Sequence, residues 1–221
     1  MNLKHWTQVA KRQPPERWLR RAELASYFIR SSDVVCDLGA GAQKIRSLLP
    51  ESVEYVPVDC VKEHENTFVA DFNEEFALPD RPIDVILCLG LLPYLRDLRQ
   101  FFESLVAQQS GKFILFSYGF GKNRCNNPRV KNQMDSIEQG LEFFSQYVEN
   151  LTVVAQIHER NRRFLFSGTL GTSNNNKAPI TKRSLGELAN VDKQIDRGLF
   201  NFSPIAKKFS LFHQRSLSIQ L

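Results

Sequence analysis

The chain has 221 residues, 29 Lys and Arg against 24 Asp and Glu, and a net charge of +5. That length supports one α/β domain with a sizeable core and some decoration, and no apolar run reaches the roughly 18–20 residues that span a bilayer. Four widely separated cysteines, Cys36, Cys60, Cys88 and Cys125, form no CxxC pair and read as reduced thiols rather than a zinc site or disulfide frame.

The stretch MNLKHWTQVAKRQPPERW has no apolar signal core or small-residue cleavage site, so a cytoplasmic protein is expected. Charge is unevenly placed. Residues 1–30 carry seven basic residues against two acidic, residues 171–221 eight against three, and the middle 14 against 19. Two basic ends around an acidic centre suit contact with nucleic acid or an anionic substrate. Neither end interleaves aromatic residues with arginine as a binding module would, so solvated flanks are the preferred reading and nucleic acid is not favoured.

In chain order, PPERWLRRAELASYFIR (14–30) predicts a helix. Pro14 and Pro15 suit its start, and Trp18, Ala22, Leu24, Ala25, Phe28 and Ile29 fall largely on one face. A buried strand follows over Asp33–Leu38, then a short helix over Ala42–Leu49 ended by Pro50. Further strands are expected at Val53–Val58, Thr67–Ala70, Ile83–Leu89 and Lys112–Ser117, with helices over Leu95–Ala107 and Ser136–Val148. Strands that are apolar throughout and separated by helices argue a parallel sheet covered on both faces. Leu151–His158 and Arg163–Leu170 flank the short polar turn Glu159-Arg160-Asn161-Arg162 and read as an antiparallel hairpin.

Three segments follow from this: an N-terminal helical segment at 1–30, a sheet domain at 31–170, and a basic linker with an amphipathic tail at 171–221. In the tail, Ser184-Leu185-Gly186-Glu187 offers a capping box. Leu185, Leu188, Val191, Ile195 and Leu199 follow at helical spacing, with Gly198 near the stop. That stripe is expected to dock on the sheet domain, on a partner or on a second copy of the chain.

The first strand runs into a glycine turn, VVCDLGAGAQ (34–43). Such a turn brings backbone N–H groups close to a ligand. A P-loop would need GxxxxGK[ST], whereas AQKIRSLL follows Gly41. A dinucleotide fingerprint would need a small residue where Lys44 stands.

The segment Asp37-Leu38-Gly39-Ala40-Gly41 resembles the first motif of the class I, Rossmann-like SAM-dependent methyltransferases, with Ala42 where a third glycine is usual. Asp59 ends the second strand where that family places the acid that accepts both ribose hydroxyls. In ADFNEEF, Asp71 and Phe72 stand where the family has an acid for the adenine amino group and a neighbour of the adenine ring. IDVILCLGLLPYL resembles the fourth-strand motif, with Leu89–Leu92 crossing the methyl-transfer site. The resemblance covers about residues 20–170. It implies an α/β Rossmann-like fold: a mostly parallel seven-stranded sheet, helices on both faces and a C-terminal antiparallel hairpin. It also implies S-adenosyl-L-methionine (SAM) as cofactor, held by Asp37, Gly39, Gly41, Asp59, Asp71, Phe72 and Leu89.

The chemistry of SAM agrees with these residue types. A sulfonium cation carrying adenosine calls for carboxylates toward hydroxyls and amines, and for glycines that let the backbone approach. Methyl transfer asks mainly for alignment, with a general base for a hydroxyl acceptor. His158 and His64 are the candidates for that role, with Tyr118 and Tyr94 as polar aromatics lining the site, and no single base is assigned. No Asp/Asn-Pro-Pro-Tyr follows the fourth strand, so base-amino methylation by that route is not expected. No acid cluster stands there either, so no metal is expected.

The loop SYGFGKNRCNNPRVKN (117–132) brings Tyr118 together with Lys122, Arg124, Arg129 and Lys131, and suits an anionic or hydroxyl-rich acceptor. The expected function is methyl transfer to a small molecule or carbohydrate, at a hydroxyl, in polysaccharide or natural-product biosynthesis. The alternatives are an RNA or protein methyltransferase gripping through its basic ends, and a non-catalytic SAM-fold subunit that docks a partner.

Overall fold

Seven strands make one sheet in the order β3-β2-β1-β4-β5-β7-β6. They are β1 (Val34–Leu38), β2 (Glu54–Asp59), β3 (Phe68–Val69), β4 (Val85–Cys88), β5 (Phe113–Gly119), β6 (Val148–His158) and β7 (Arg163–Leu170). The computed structural model describes residues 6–8, 16–121, 130–158 and 163–171. The expected C-terminal helix at 184–198, the linker before it, the hairpin turn at 159–162 and Lys122, Arg124 and Arg129 lie outside these residues.

β1 to β5 pair in parallel, and β7 runs antiparallel between β5 and β6. The cause is legible in the strands themselves. All four residues of β4 are buried, as are the last six of β5, which is the pattern of strands covered from both sides. Only four residues separate β6 from β7, too few for a crossover connection, so the two strands pair antiparallel.

Among the described residues, the faces are covered by α1 (Glu16–Ser26), α2 (Leu98–Gln109) and α3 (Ile137–Phe144). α1 lays Ala22 and Ala25 on one face, against a core that includes Val35, Val85, Leu87, Leu89, Leu115 and Leu165. The opposite face is aromatic. Phe102 of α2 and Phe144 of α3 meet Phe116 of β5 and Phe166 of β7, with Phe116–Phe144 centroids 4.8 Å apart and Phe116–Phe166 5.1 Å apart. Ring pairs in such arrangements add about 0.5–1.5 kcal/mol each beyond their buried area.

Several boundaries differ from expectation, each for a local reason. The first helix stops at Ser26, where Phe28 and Ile29 donate to carbonyls three residues back and tighten the chain into a turn. In place of a helix over 42–49 there is a 3-10 turn at Lys44–Leu48, because Gln43 adopts a left-handed φ of 51° and interrupts any α-helix begun at Ala42. α2 starts at Leu98, since the Asp97 side chain caps it by accepting from the Gln100 N–H at 2.9 Å. Ser136 caps α3 in the same manner, and the helix ends at Phe144, four residues before β6 begins at Val148 opposite Leu170.

Candidate cofactor site at the carboxyl end of the parallel strands

β1 and β2 end side by side, which brings two of the expected carboxylates to one edge of the sheet. Asp37 is 4 % exposed. Residues alternate between faces along a strand, so Asp37 points with Val35 toward the face that α1 covers. Its Oδ2 accepts the Tyr55 hydroxyl at 2.6 Å. Burial pushes the Asp37 carboxyl up to about 6; the Tyr55 bond opposes this, the Asp59 charge adds to it and the Arg21 charge opposes it. A carboxylate held this far from water gains from any cation that approaches it.

Asp59 sits at the end of β2, and its two oxygens already tie the turn together. Oδ2 accepts the Gly41 N–H at 2.8 Å and Oδ1 the Val61 N–H at 3.0 Å. The Cys60 thiol also hydrogen-bonds this carboxylate, whose two oxygens offer about four acceptor positions in all. The backbone of the turn is hooked to β2 as well, since Gly39 and Ala40 both donate to the Val58 carbonyl. Gly39 has φ +76°, and a Cβ there would meet Leu91 Cβ at 3.0 Å. The motif therefore needs glycine at this position for conformation and for contact with the loop after β4.

Asp71 and Phe72 follow β3. Asp71 caps its own turn, with Oδ1 accepting the Asn73 N–H at 3.0 Å. Phe72 packs on Phe76 and edge-on to Phe101, with centroids 5.4 and 5.5 Å apart. The neighbouring Asn73 joins this loop to the one after β4 by accepting the Arg96 N–H at 2.5 Å. Leu89 belongs to the core beneath α1.

α1 also brings a cation to the site, Arg21. A Cβ built on Gly90 would stand 2.5 Å from Arg21 Nη1, so the guanidinium lies directly on that glycine, whose φ is +118°. Burial lowers the Arg21 pKa to about 9; the Arg163 charge lowers it further, and Asp37 and Tyr94 act in the opposite sense. Trp6 stands edge-on to the Tyr94 ring at 4.7 Å. N-terminal residues thus meet the loop after β4, beside the strand ends.

The candidate bases and polar aromatics separate. Tyr118 is 1 % exposed, sits among Phe120 and Phe144 on the aromatic face, and donates its hydroxyl to the Asn132 carbonyl at 2.9 Å. This places Tyr118 in the packing of that face, away from Asp37 and Asp59. His158 ends β6 opposite Arg163, and its side chain lies outside the described residues. His64 accepts the Thr67 N–H through its carbonyl in the turn before β3. Burial pushes the Cys36 and Cys60 thiols up to about 12, so neither supplies a thiolate at neutral pH. Among the described residues no three His, Cys, Asp or Glu side chains gather as metal ligands would, and no helix is long and apolar enough to cross a membrane.

Tyr55 and Gly90 are site residues that sequence reasoning does not single out. Only the strand register brings Tyr55 under Asp37, and no sequence signal announces it.

No protein-family profile matches the chain, and no curated protein sequence does. Solved structures match it in shape. One is a methyltransferase of Haloferax volcanii in complex with the activator Trm112, at TM-score 0.58 and 13 % identity, covering 77 % of this chain and 98 % of that one. A SAM-dependent methyltransferase from Aquifex aeolicus matches at TM-score 0.54 and 15 % identity, covering 77 % and 99 %. The N-methyltransferase NodS from Bradyrhizobium japonicum, solved with S-adenosyl-L-homocysteine (SAH), matches at TM-score 0.53 and 13 % identity, covering 76 % and 97 %. Strand order, terminal hairpin and these likenesses agree: the chain has the Rossmann-like fold of the class I SAM-dependent methyltransferases.

Proposed function

We propose that the protein is a SAM-dependent methyltransferase acting on a small-molecule or carbohydrate acceptor, at a hydroxyl. The observation that carries the reading is the pairing of Asp37 and Asp59 at adjacent strand ends around a glycine turn of left-handed backbone. The residues fit the cofactor's chemistry. Asp59 would accept the ribose hydroxyls, the weak Cys60 thiol donor giving way to them. Asp37, held away from water in its buried setting, would take the methionyl ammonium, and Arg21 beside it would take the methionyl carboxylate. Gly39 and Gly41 would let the backbone pass the ligand without side chains between, and Asp71 with Phe72 would flank the adenine.

When bound, SAM supplies an electrophilic methyl group on a sulfonium that leaves readily. The protein's own contribution is alignment and exclusion of water. Leu89, Leu91 and Leu92 make the wall of the loop after β4 apolar; Leu89 and Leu92 are buried in it. An apolar wall suits a neutral hydroxyl, which keeps its proton until the acceptor is aligned.

Calorimetric titration of the full chain with SAM and with SAH tests this, alongside Asp59→Ala. Binding is expected for both ligands. The substitution is expected to weaken it by at least about 100-fold, since hydrogen bonds to a charged group contribute about 1.5–3 kcal/mol each. Thermal melts verify that the variant is folded, because Gly41 and Val61 also lose an acceptor. Absence of binding to either ligand by a folded wild-type chain overturns the reading.

A further inference from the structure

The carboxyl end of β5 carries a feature that cofactor binding does not use. Ser117 is 1 % exposed, and its Oγ has no hydrogen-bond partner among the described residues. A buried hydroxyl without a partner costs about 1–3 kcal/mol, so its retention calls for a reason. Strand alternation locates it. Ser117 lies opposite Leu165, and two residues further on Gly119 lies opposite Arg163. Leu115 and Leu165 both belong to the core beneath α1, so Ser117 and Arg163 share that face as diagonal neighbours across the strand pair, and Gly119 adds no side chain beside them.

β4 ends at Cys88 opposite Phe116, so Leu89 and Gly90 leave the sheet beside Ser117. Gly90 is the residue on which the Arg21 guanidinium rests. Two cations and a hydroxyl therefore converge from three elements, α1, β5 and β7. The repulsion between Arg163 and Arg21, already felt as a lowering of the Arg21 pKa, is relieved by an anion placed between them. Two guanidiniums and a hydroxyl form a donor set that matches an oxyanion.

We propose that Ser117, Arg163 and Arg21 form a subsite for an oxyanion of the acceptor, a carboxylate or a phosphate, at the end of β5. The proposal rests on the reading under Proposed function and deepens it: the acceptor is an acid. Arg163 is its specificity-determining residue, while Arg21 stands between acceptor and cofactor.

The test uses the full chain with 15N-labelled arginine side chains, loaded with SAH. The Arg163 guanidinium resonance is assigned by its disappearance in Arg163→Gln. Benzoate and inorganic phosphate are titrated in separate arms, with neutral benzamide as control. The Arg163 resonance is expected to move saturably with benzoate, with phosphate or with both, the arm that responds identifying the acid, and to stay still with benzamide. Ser117→Ala is expected to weaken the responding anion by about tenfold to a hundredfold, the value of one hydrogen bond to a charged group. The same change raises the melting temperature of the anion-free protein, since it removes an unsatisfied hydroxyl. Arg163→Gln leaves SAH affinity within about threefold of wild type.

An unmoved Arg163 resonance in both anion arms, with SAH bound, overturns the proposal and leaves the cofactor reading standing. Loss of SAH binding in Arg163→Gln also overturns it, because Arg163 then serves the cofactor. If the wild type fails to bind SAH yet Arg163 answers an anion, the cofactor reading falls and the oxyanion site stands without it.

Discussion

The two faces of the sheet are built from opposite materials. Beneath α2 and α3, Phe102, Phe116, Phe144 and Phe166 fill the space with rings, each within 6.0 Å of at least two others. Beneath α1, toward the strand ends, the same sheet buries Asp37, the unsatisfied hydroxyl of Ser117 and the neighbourhood of Arg21. One face gains free energy from nearly every atom it buries. The other holds charge and a hydroxyl away from water, which costs free energy unless a ligand completes it. The difference teaches where stability and binding reside, and it implies that substitutions on the two faces change them in opposite ways.

The largest effect belongs to the aromatic face. Phe102 is fully buried and touches rings from α2, β5 and α3. Phe102→Ala is expected to cost about 3–5 kcal/mol in urea unfolding. SAH affinity of the folded fraction should change far less than in Asp59→Ala, since the ring reaches the cofactor site only through Phe101, which packs on Phe72. A large change in affinity at unchanged stability would break the comparison.

Asp37→Asn is predicted to do the reverse. The carboxyl titrates near 6 in the folded chain because burial disfavours its charge. Removing that charge relieves up to about 3 kcal/mol at neutral pH, the free energy of a shift of roughly two pKa units. Loss of the attraction to Arg21 offsets part of this, so the melting temperature should rise by several degrees. The Tyr55 hydroxyl still finds an oxygen acceptor. SAH binding should weaken at least tenfold, as the ammonium loses its counter-ion. A variant that is both destabilised and fully competent to bind would refute the division.

The aromatic face and the site were not equally legible in the sequence. Strand order, parallel pairing and the terminal hairpin follow from runs such as IDVILCL and KFILFS, whose apolar continuity suits strands covered on both faces. Asp37, Gly39 and Asp59 were legible because a glycine turn between strands constrains its neighbours within a few residues. Contacts that depend on register were not. Tyr55 meets Asp37 only because β2 is aligned with β1 so that Val35 faces Tyr55. Ser117 and Arg163 lie 46 positions apart in the chain and share a face only through the antiparallel alignment of β5 with β7. Tyr118 looked available as a polar aromatic at a strand end. Strand alternation turns it to the aromatic face, where the Asn132 carbonyl accepts its hydroxyl. Gln43 stopped the expected helix by adopting a left-handed conformation that nothing in its residue type announces.

Acidity offers the finest probe of the polar face. The folded Asp37 carboxyl holds its proton up to about pH 6, whereas an unfolded one releases it near pH 4. Between these values the folded chain binds more protons, so stability falls as pH rises from about 4 to about 6 and is level above. Ligand binding runs the other way. A methionyl ammonium needs Asp37 charged, so SAH affinity should be constant above about pH 7. By pH 5 it should fall about tenfold, the factor by which the ionised fraction drops one unit below the pKa. Opposite slopes for stability and affinity over one interval are what a single group gives when it costs free energy charged and repays it only in the complex. Asp37→Asn should flatten both slopes, with unfolding and titration followed across the range. If only one of them flattens, another group governs the remaining slope.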